Sequence, residues 1–594
     1  MTTPATAASA YTPAAASRPW FAHYGDVPRT LAPYPEVALG AYVRRAAERW
    51  GERPMLAFYG ATTSFAELDR QVERFAAALQ RLGVRKGDRV ALMLPNCPQF
   101  VVAFYGALRA GATAVGINPL YTPRELAHVL RDSGAETFVV LAPMLRAFDA
   151  IDGETPVRHV VAASLEEAMP APVAAGYVAK ARAEGTYAEV PDRPGLHRFA
   201  RLVAEAPARA EPVAIDAARD VAVLQYTGGT TGTSKGAMLT HLNLVANCLQ
   251  TKAWSPQLRD GEEVTVAVLP FFHIYGLTVV LNMSVVVGGA TLVVLPRFDP
   301  AELLATVERS RATVLPLVPS MFVGLNAALG AAEARGERPD LTSLRLANAG
   351  GAAMPPEVAR EFTRRVGIPV HEGYGLSEAS PVTHFNPGWM PPREGSIGLP
   401  IPDVDSKIVD LEGRALPPGE VGELCVRGPN VMLGYRNRPD ETARALREDP
   451  VAGDDHHGGH GPWLHTGDLA RMEPDGYVAI VDRAKDMILV GGYNVYPREI
   501  EEVLYEHPAV QEVAAYGVPD AYLGEVARAA VVLRPGVAAT SDALVAHCRE
   551  RLAPYKTPRV VEVRDALPKS TVGKLLRRVL RDEAATRATA DPAA

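Results

Sequence analysis

The chain has 594 residues, 48% hydrophobic and 22% charged, ordinary globular usage that excludes a wholly disordered or fibrous protein and, at roughly four domain-sized units, a hormone or lone binding module. With 61 Lys+Arg against 68 Asp+Glu the net charge is −7, so no basic excess points to nucleic acid and any polyanionic ligand must be met locally. The four cysteines, Cys97, Cys248, Cys425 and Cys548, are far apart and include no C-x-x-C pair, which argues against a zinc framework or a disulfide scaffold and for a reducing cytoplasm.

Residues 1–19 are rich in Ala, Thr, Ser and Pro and carry neither a basic n-region nor an apolar h-region. They read as a disordered leader, extended to about residue 25. From about 37 to 148 an amphipathic segment (68–82), an apolar β-type run (89–94), a helical segment (99–110), a short apolar run (114–117) and another helix (123–133) alternate. This rhythm predicts crossover units on a doubly wound, mostly parallel sheet, with binding sites at the carboxyl ends of its strands. Residues 149–218 turn Ala/Pro/Glu/Arg-rich with weak periodicity and read as a surface excursion carrying some helix.

A β-branched run at 221–226 leads into a Gly/Thr/Ser loop, and the alternation resumes through 264–269, 290–295 and 313–318, predicting a second doubly wound unit. The most apolar stretch, 278–295, is interrupted by Asn282, Ser284 and Gly288-Gly289 and reads as a buried helix followed by a buried strand, not a membrane span. After Gly395 come short alternating strands (406–410, 422–427, 477–481) that suggest a small antiparallel sheet or barrel. From 485 a helix (497–507), strands (510–517, 527–533), a second helix (542–552) and a basic final helix predict an α+β domain of about a hundred residues. The expected fold class is therefore α/β: a large N-terminal domain of two doubly wound subdomains plus a small β-barrel-like one, then a small mobile α+β domain. The expected division is 1–25, 26–484 and 485–594. With no prenylation box or peroxisomal tripeptide at the C-terminus, the expected location is cytoplasmic, with peripheral contact to the inner face of a membrane and a homodimer left open.

The segment Tyr226-Thr227-Gly228-Gly229-Thr230-Thr231-Gly232-Thr233-Ser234-Lys235-Gly236 reads as a triphosphate cradle. Backbone amides approach a phosphate closely only where side chains are absent, Thr and Ser hydroxyls donate further bonds, and Lys235 adds a point charge. It is not the generic P-loop, because Ser234 and not Gly precedes the lysine. A flexible surface linker is the bland alternative.

This loop resembles the signature of adenylate-forming acyl- and aryl-CoA synthetases, luciferases and adenylation domains. The resemblance is sharpened by Pro270-Phe271-Phe272-His273-Ile274-Tyr275-Gly276, Glu372-Gly373-Tyr374-Gly375-Leu376-Ser377-Glu378, Gly395-Ser396-Ile397-Gly398, Trp463-Leu464-His465-Thr466-Gly467-Asp468, Val481-Asp482-Arg483-Ala484-Lys485-Asp486 and Pro568-Lys569-Ser570-Thr571-Val572-Gly573-Lys574. It spans about 37–582 apart from the 149–218 excursion and looks most like long-chain fatty acid–CoA ligases. It implies two half-reactions: acid plus ATP to acyl-AMP and pyrophosphate, then acyl transfer to coenzyme A with release of AMP. It further implies that Thr227, Gly228, Thr230, Thr231, Ser234 and Lys235 hold phosphates, that Glu378 holds Mg²⁺ through phosphate oxygens and water, and that Ser377 reaches the α-phosphate. Tyr374 and Gly375, with Gly350, Gly351 and Ala352, would lie against the adenine; a tight turn explains those small residues equally well. Asp468 would accept both ribose hydroxyls, with a turn or cap role as its alternative. Arg483 would contact ribose or phosphates, with ion pairing to Asp482 or Asp486 as its alternative.

Lys574, by the same resemblance, swings in from the C-terminal domain to stabilise the adenylation transition state; by itself it would be one more charge opening a basic helix. Lys485 matches a hinge, and Gly491-Gly492-Tyr493 a loop closing over the pantetheine arm of CoA, or an ordinary β-turn. His273 would line the acyl pocket or be a core histidine bonded to backbone. The run Asp454-Asp455-His456-His457-Gly458-Gly459-His460 reads as a mobile surface loop rather than a metal site. Medium-chain or aryl (hydroxycinnamate-type) acids, delivery of acyl-AMP to a carrier protein, and a non-catalytic nucleotide-binding regulator are the alternatives; Lys574 and Glu378 argue against the last.

Overall fold

The computed structural model describes residues 18–151, 153–227, 234–448, 461–483, 486–491, 493–520, 523–570 and 575–590. Two mostly parallel sheets dominate. The first has seven strands in the order Leu196–Arg198, His159–Ala163, Thr137–Leu141, Arg89–Met93, Thr113–Gly116, Val221–Thr227, Lys235–Thr240, all parallel except the last. The second has nine, in the order Leu399–Pro400, Val382–Phe385, Val370–Gly375, Leu346–Ala349, Val314–Leu317, Val264–Ala267, Thr291–Val294, Pro54–Phe58, Ala61–Ser64. Six parallel strands in its middle are flanked by antiparallel ones.

The expected helices form at Phe65–Arg81, Pro98–Arg109 and Pro123–Ser133. The last starts on a capping box, the Thr122 side chain meeting the Glu125 N–H and the Glu125 carboxylate the Thr122 N–H. Pro98–Arg109 (PQFVVAFYGALR) and His241–Ala253 are buried on nearly every side. A helix apolar all round has no face for water, and the residues of both helices belong to one hydrophobic cluster that runs through both sheets.

Three expectations change. Residues 18–25 are not disordered leader: the Arg18 guanidinium donates to both Asp405 oxygens at 2.6 and 2.8 Å, Trp20 is buried, and the Tyr24 hydroxyl donates to the Pro400 carbonyl at 2.7 Å. The aromatic burial outweighs the loop-like composition before it. The 149–218 excursion supplies two strands of the first sheet as well as the helices Ala171–Ala183 and Phe199–Glu205. Its strands of five and three residues are too short to show against the Ala/Pro-rich background. The Pro54–Ser64 hairpin, early in the chain, extends the second sheet and not the first, Pro54–Phe58 running parallel to Thr291–Val294.

The 278–295 stretch forms π-helical turns at Gly276–Asn282 and Ser284–Gly288 followed by the strand Thr291–Val294, and no described helix is long and apolar enough to cross a membrane. The region after Gly395 is a five-stranded antiparallel sheet of Asp405–Val409, Val421–Arg427, Leu446–Arg447, Trp463–Met472 and Val478–Arg483. The C-terminal sheet consists of Ile488–Val490, Tyr493–Val495, Val510–Asp520, Gly524–Leu533 and Val561–Val563, with helices Pro497–Tyr505, Ser541–Arg549 and Arg577–Ala590. Two separate apolar clusters, one around Ile500 and Leu544 and one around Tyr516 and Leu580, give this region its own core.

Candidate active site

The phosphate-type loop joins two antiparallel strands: Thr227 lies opposite Lys235 and Tyr226 opposite Gly236. No helix begins after it, so its charge must come from Lys235, hydroxyls and backbone amides rather than a helix dipole. Thr227, Ser234 and Lys235 stand at the mouth of the hairpin, while Gly228, Thr230 and Thr231 lie outside the described residues. The strand is fixed from below by the Tyr226 hydroxyl, which donates to Asp132 at 2.7 Å, and the Ser234 carbonyl lies 3.0 Å from His128 Nε2.

Lys235 forms an ion pair with Glu441 and sits 5.3 Å from the centroid of the Tyr435 ring. Burial pulls its pKa down, opposed by the charge of Glu378. The Tyr435 hydroxyl donates to Glu378 Oε1 at 2.7 Å. Lys235, Tyr435 and Glu378 therefore form one cluster from three distant parts of the chain. Sequence reasoning missed Tyr435 and Glu441. Tyr435 arrives because the Met238 N–H donates to Gly434 O at 2.9 Å and the Arg436 N–H to Gly236 O at 2.9 Å, laying this segment along the hairpin strand; no spacing in the chain signals that pairing. As a metal site, one half-buried carboxylate beside a lysine fits a Mg²⁺ carried in on phosphate oxygens and water, not a cation held in a protein cage.

Strand Val370–Gly375 delivers the next group. Gly375 is required by close approach: a Cβ there would fall 2.3 Å from the Pro381 carbonyl oxygen. The Tyr374 hydroxyl donates to Asp468 Oδ2 at 2.6 Å, bringing together two residues expected at the nucleotide. Asp468 is 8% exposed, and its backbone N–H is held by Thr466 Oγ1 at 3.1 Å. The Arg483 backbone lies opposite Asp468 in the strand register. Gly350 and Gly351 follow strand Leu346–Ala349, neighbour of Val370–Gly375; a Cβ on Gly350 would press on the Tyr275 ring at 3.1 Å, while Gly351 and Ala352 are exposed. Ser377 lies on the half-buried turn that carries Glu378.

The His273 segment is anchored by Asn96, also missed from sequence. The Asn96 amide donates to the Ala267 and Leu269 carbonyls at 2.9 Å each and accepts from the Phe271 N–H at 2.7 Å. Gln225, two residues before Thr227, donates to the Phe272 carbonyl at 3.1 Å and ties this segment to the phosphate hairpin. His273 Nδ1 accepts from the Tyr275 N–H at 3.3 Å.

Glu372 is a buried carboxyl that accepts from the Met354 N–H at 3.1 Å. Burial pushes it up to about 7, with Arg498 opposing. Since its folded value lies above its unfolded one, ionisation costs stability progressively between about pH 4.5 and 7. Glu372→Gln, which mimics the neutral acid and keeps the acceptor, should match the parent at pH 4.5 and exceed it by up to ~3 kcal/mol at pH 8. Urea unfolding at the two pH values checks this; a difference that does not grow with pH would show that Glu372 is not held neutral.

At the junction with the C-terminal region, Asp482 accepts from the Arg498 N–H at 3.1 Å and from Arg577 at 3.2 Å, and Asp486 lies 3.5 Å from Arg577. The two carboxylates proposed as structural partners for Arg483 thus engage Arg577. Lys485, Gly492 and Lys574 lie outside the described residues. On either side of Lys574, Lys569 bridges Leu575, and Lys569 Nζ lies 2.6 Å from Glu512. Gly491 adopts φ +58° and donates to Leu523 O at 2.8 Å. Tyr493, 59% exposed, stacks on Tyr555 with centroids 4.6 Å apart. The His-rich run 454–460 lies outside the described residues.

The family model "AMP-binding enzyme" matches residues 43–436, and "AMP-binding enzyme C-terminal domain" matches 499–574. The chain belongs to the AMP-binding enzyme family. A long-chain-fatty-acid–CoA ligase of Bacillus subtilis (strain 168) is 41% identical to this AMP-binding enzyme over 569 residues, covering 95% of this chain and 98% of the relative. A feruloyl-CoA synthase of Amycolatopsis sp is 36% identical over 544 residues, 91% and 98% of the two chains. Among solved structures, the anthranilate CoA ligase AuaEII in complex with anthranoyl-AMP superposes with a TM-score of 0.80 at 26% identity, covering 95% of this chain and 99% of that one. ATP-bound MatB from Rhodopseudomonas palustris gives 0.78 at 29%, covering 92% and 99%.

Proposed function

We propose that this AMP-binding enzyme is a long-chain fatty acid–CoA ligase. A fatty acid carboxylate attacks the α-phosphorus of ATP, giving acyl-AMP and pyrophosphate; the CoA thiol then attacks the acyl carbon, giving the thioester and AMP. The observation that carries the reading is the 40–41% identity, along nearly the whole chain, to relatives named long-chain-fatty-acid–CoA ligases.

Both reactants of the first step are anions, so charge neutralisation and in-line positioning are what the residues must supply. In this reading the hairpin mouth of Thr227, Ser234 and Lys235, with Gly228, Thr230 and Thr231, holds the phosphates. Mg²⁺, when bound through Glu378, would offset negative charge on the phosphate oxygens. Asp468 accepts the ribose hydroxyls, and the Tyr374 hydroxyl bonded to it keeps that carboxylate aimed while the tyrosine ring faces the base alongside Gly350 to Ala352 and Gly375. Ser377 and Arg483 contact phosphate or ribose, His273 lines the acyl side, and Lys574 meets the reacting carboxylate. A rotation of the C-terminal domain about Lys485, near the 484/485 boundary, then exchanges Lys574 for the Gly491–Tyr493 loop and admits CoA.

AMP release measured over aliphatic acids from C6 to C18 and hydroxycinnamates tests the substrate class. The expected result is the highest kcat/KM at C12 or longer and dependence on CoA. Equal or better turnover of hydroxycinnamates would reassign the enzyme to aryl acids, as in the feruloyl relative. Turnover with a carrier protein and no CoA would reject the ligase step.

A further inference from the structure

In the five-stranded antiparallel sheet, half-buried Glu423 and His465 and fully buried Cys425, which packs with Val409 and Trp463, bring a carboxylate oxygen, an imidazole nitrogen and a thiol sulfur within 4.8 Å of one another. Cys425 and His465 are direct cross-strand partners. Both other groups converge on one ring nitrogen: His465 Nδ1 lies 2.8 Å from Glu423 Oε2 and 3.4 Å from Cys425 Sγ. A cation between the three groups would engage an S, an N and an O donor at once. We infer that Glu423, Cys425 and His465 form an inhibitory Zn²⁺ site with one ligand position left open.

The donor set decides the metal. One S, one N and one O donor suit Zn²⁺ and are poor for Mg²⁺, which prefers an all-oxygen octahedron. Ordinary zinc bond lengths place tetrahedral ligands about 3.4–3.6 Å apart. The sulfur–nitrogen distance already meets this, and the nitrogen–oxygen distance needs to open by roughly 0.6 Å. Lys407, opposite Cys425 on the neighbouring strand with its ammonium 4.2 Å from the Trp463 ring centroid, opposes an approaching cation.

The site bears on nucleotide binding through Glu423. Its other oxygen accepts from the Gly467 N–H at 3.0 Å, and Gly467, at φ +72°, lies at the register irregularity of strand Trp463–Met472 just before Asp468. Moving the carboxylate onto zinc weakens that bond and loosens Asp468. This coupling rests on the reading of Asp468 as the ribose carboxylate; the metal binding itself does not.

The test uses the full chain. Zn²⁺ titrated against a chromophoric chelator is expected to show one tight equivalent that is lost in Cys425→Ala and in His465→Gln. X-ray absorption of the zinc-loaded protein should show one sulfur ligand. With free Zn²⁺ set by a metal buffer, AMP affinity by calorimetry should fall about tenfold in the parent, the worth of one hydrogen bond to a charged group, and stay constant in Cys425→Ala. The triple variant His456→Ala/His457→Ala/His460→Ala should keep the sulfur-ligated equivalent. Unchanged zinc stoichiometry in Cys425→Ala, loss of the tight equivalent in the triple histidine variant, a spectrum without sulfur, or AMP binding indifferent to zinc would each overturn the inhibitory site. Failure of zinc-free protein to bind AMP would instead count against the nucleotide reading.

Discussion

Lys574→Ala is expected to lower acid-dependent pyrophosphate exchange by ~10²–10³-fold, the usual cost of removing one charge-stabilising donor, while supplied acyl-AMP and CoA still yield thioester near the parent rate. The separation follows from the chemistry: only the first half-reaction brings two anions together, and only there does an added cation lower the barrier. Lys235, assigned to the phosphates, stands at the hairpin mouth paired with Glu441. Lys569 serves as the control. It precedes Lys574 in the chain but pairs with Glu512, and Lys569→Ala should change exchange less than threefold, as for an exposed ion pair. Equal exchange in Lys574→Ala and the parent would remove the mobile-lysine mechanism; equal loss in both half-reactions would mean that the variant damages folding or nucleotide binding instead.

Arg577→Met should destabilise the C-terminal region by about 3–5 kcal/mol, the cost of leaving buried carboxylates without their cation. Arg577 donates to both oxygens of Glu501 at 2.8–3.1 Å and to Asp482 at 3.2 Å, and the Asp482 side chain is only 2% exposed. Its own pKa is raised, the charges of Glu501 and Asp482 overcoming desolvation. Since Asp482 sits on strand Val478–Arg483 and also accepts from the Arg498 N–H, the change also slackens the seam between the antiparallel sheet and helix Pro497–Tyr505. Urea unfolding of the full chain measures the loss. Arg577→Met/Glu501→Gln should recover part of it by removing one orphaned charge; an effect of Arg577→Met within ±0.5 kcal/mol would place the cluster among weak surface networks.

Much of the fold was legible because it is written locally. The run 89–94 and the segments 99–110 and 123–133 became Arg89–Met93, Pro98–Arg109 and Pro123–Ser133 nearly residue for residue, since period and capping act within a few positions. The strand at 221 was equally plain, but it was read as opening the second doubly wound unit, whereas Val221–Thr227 and its hairpin partner Lys235–Thr240 complete the first sheet. The 149–218 strands were hidden because their apolar runs are short and their neighbours carry no period. Trp20 was hidden because it follows a stretch of leader-like composition.

The candidate site divides the same way. Glycine-rich loops, the Tyr374–Glu378 turn and Asp468 declare themselves through residue type and local spacing, and the backbone conformations they need are set within a few residues. The chain by itself therefore determined the fold class, the family resemblance and the order of the motifs. Only the folded molecule decided which of these meet: Tyr374 with Asp468, Tyr435 with Glu378 across 57 positions, Cys425 with His465 across 40, and Pro54–Phe58 with Thr291–Val294. Such meetings depend on strand order and register. Loop-closure entropy grows too slowly with separation to favour near partners over far ones, and register is settled by burial of whole faces rather than by any single residue.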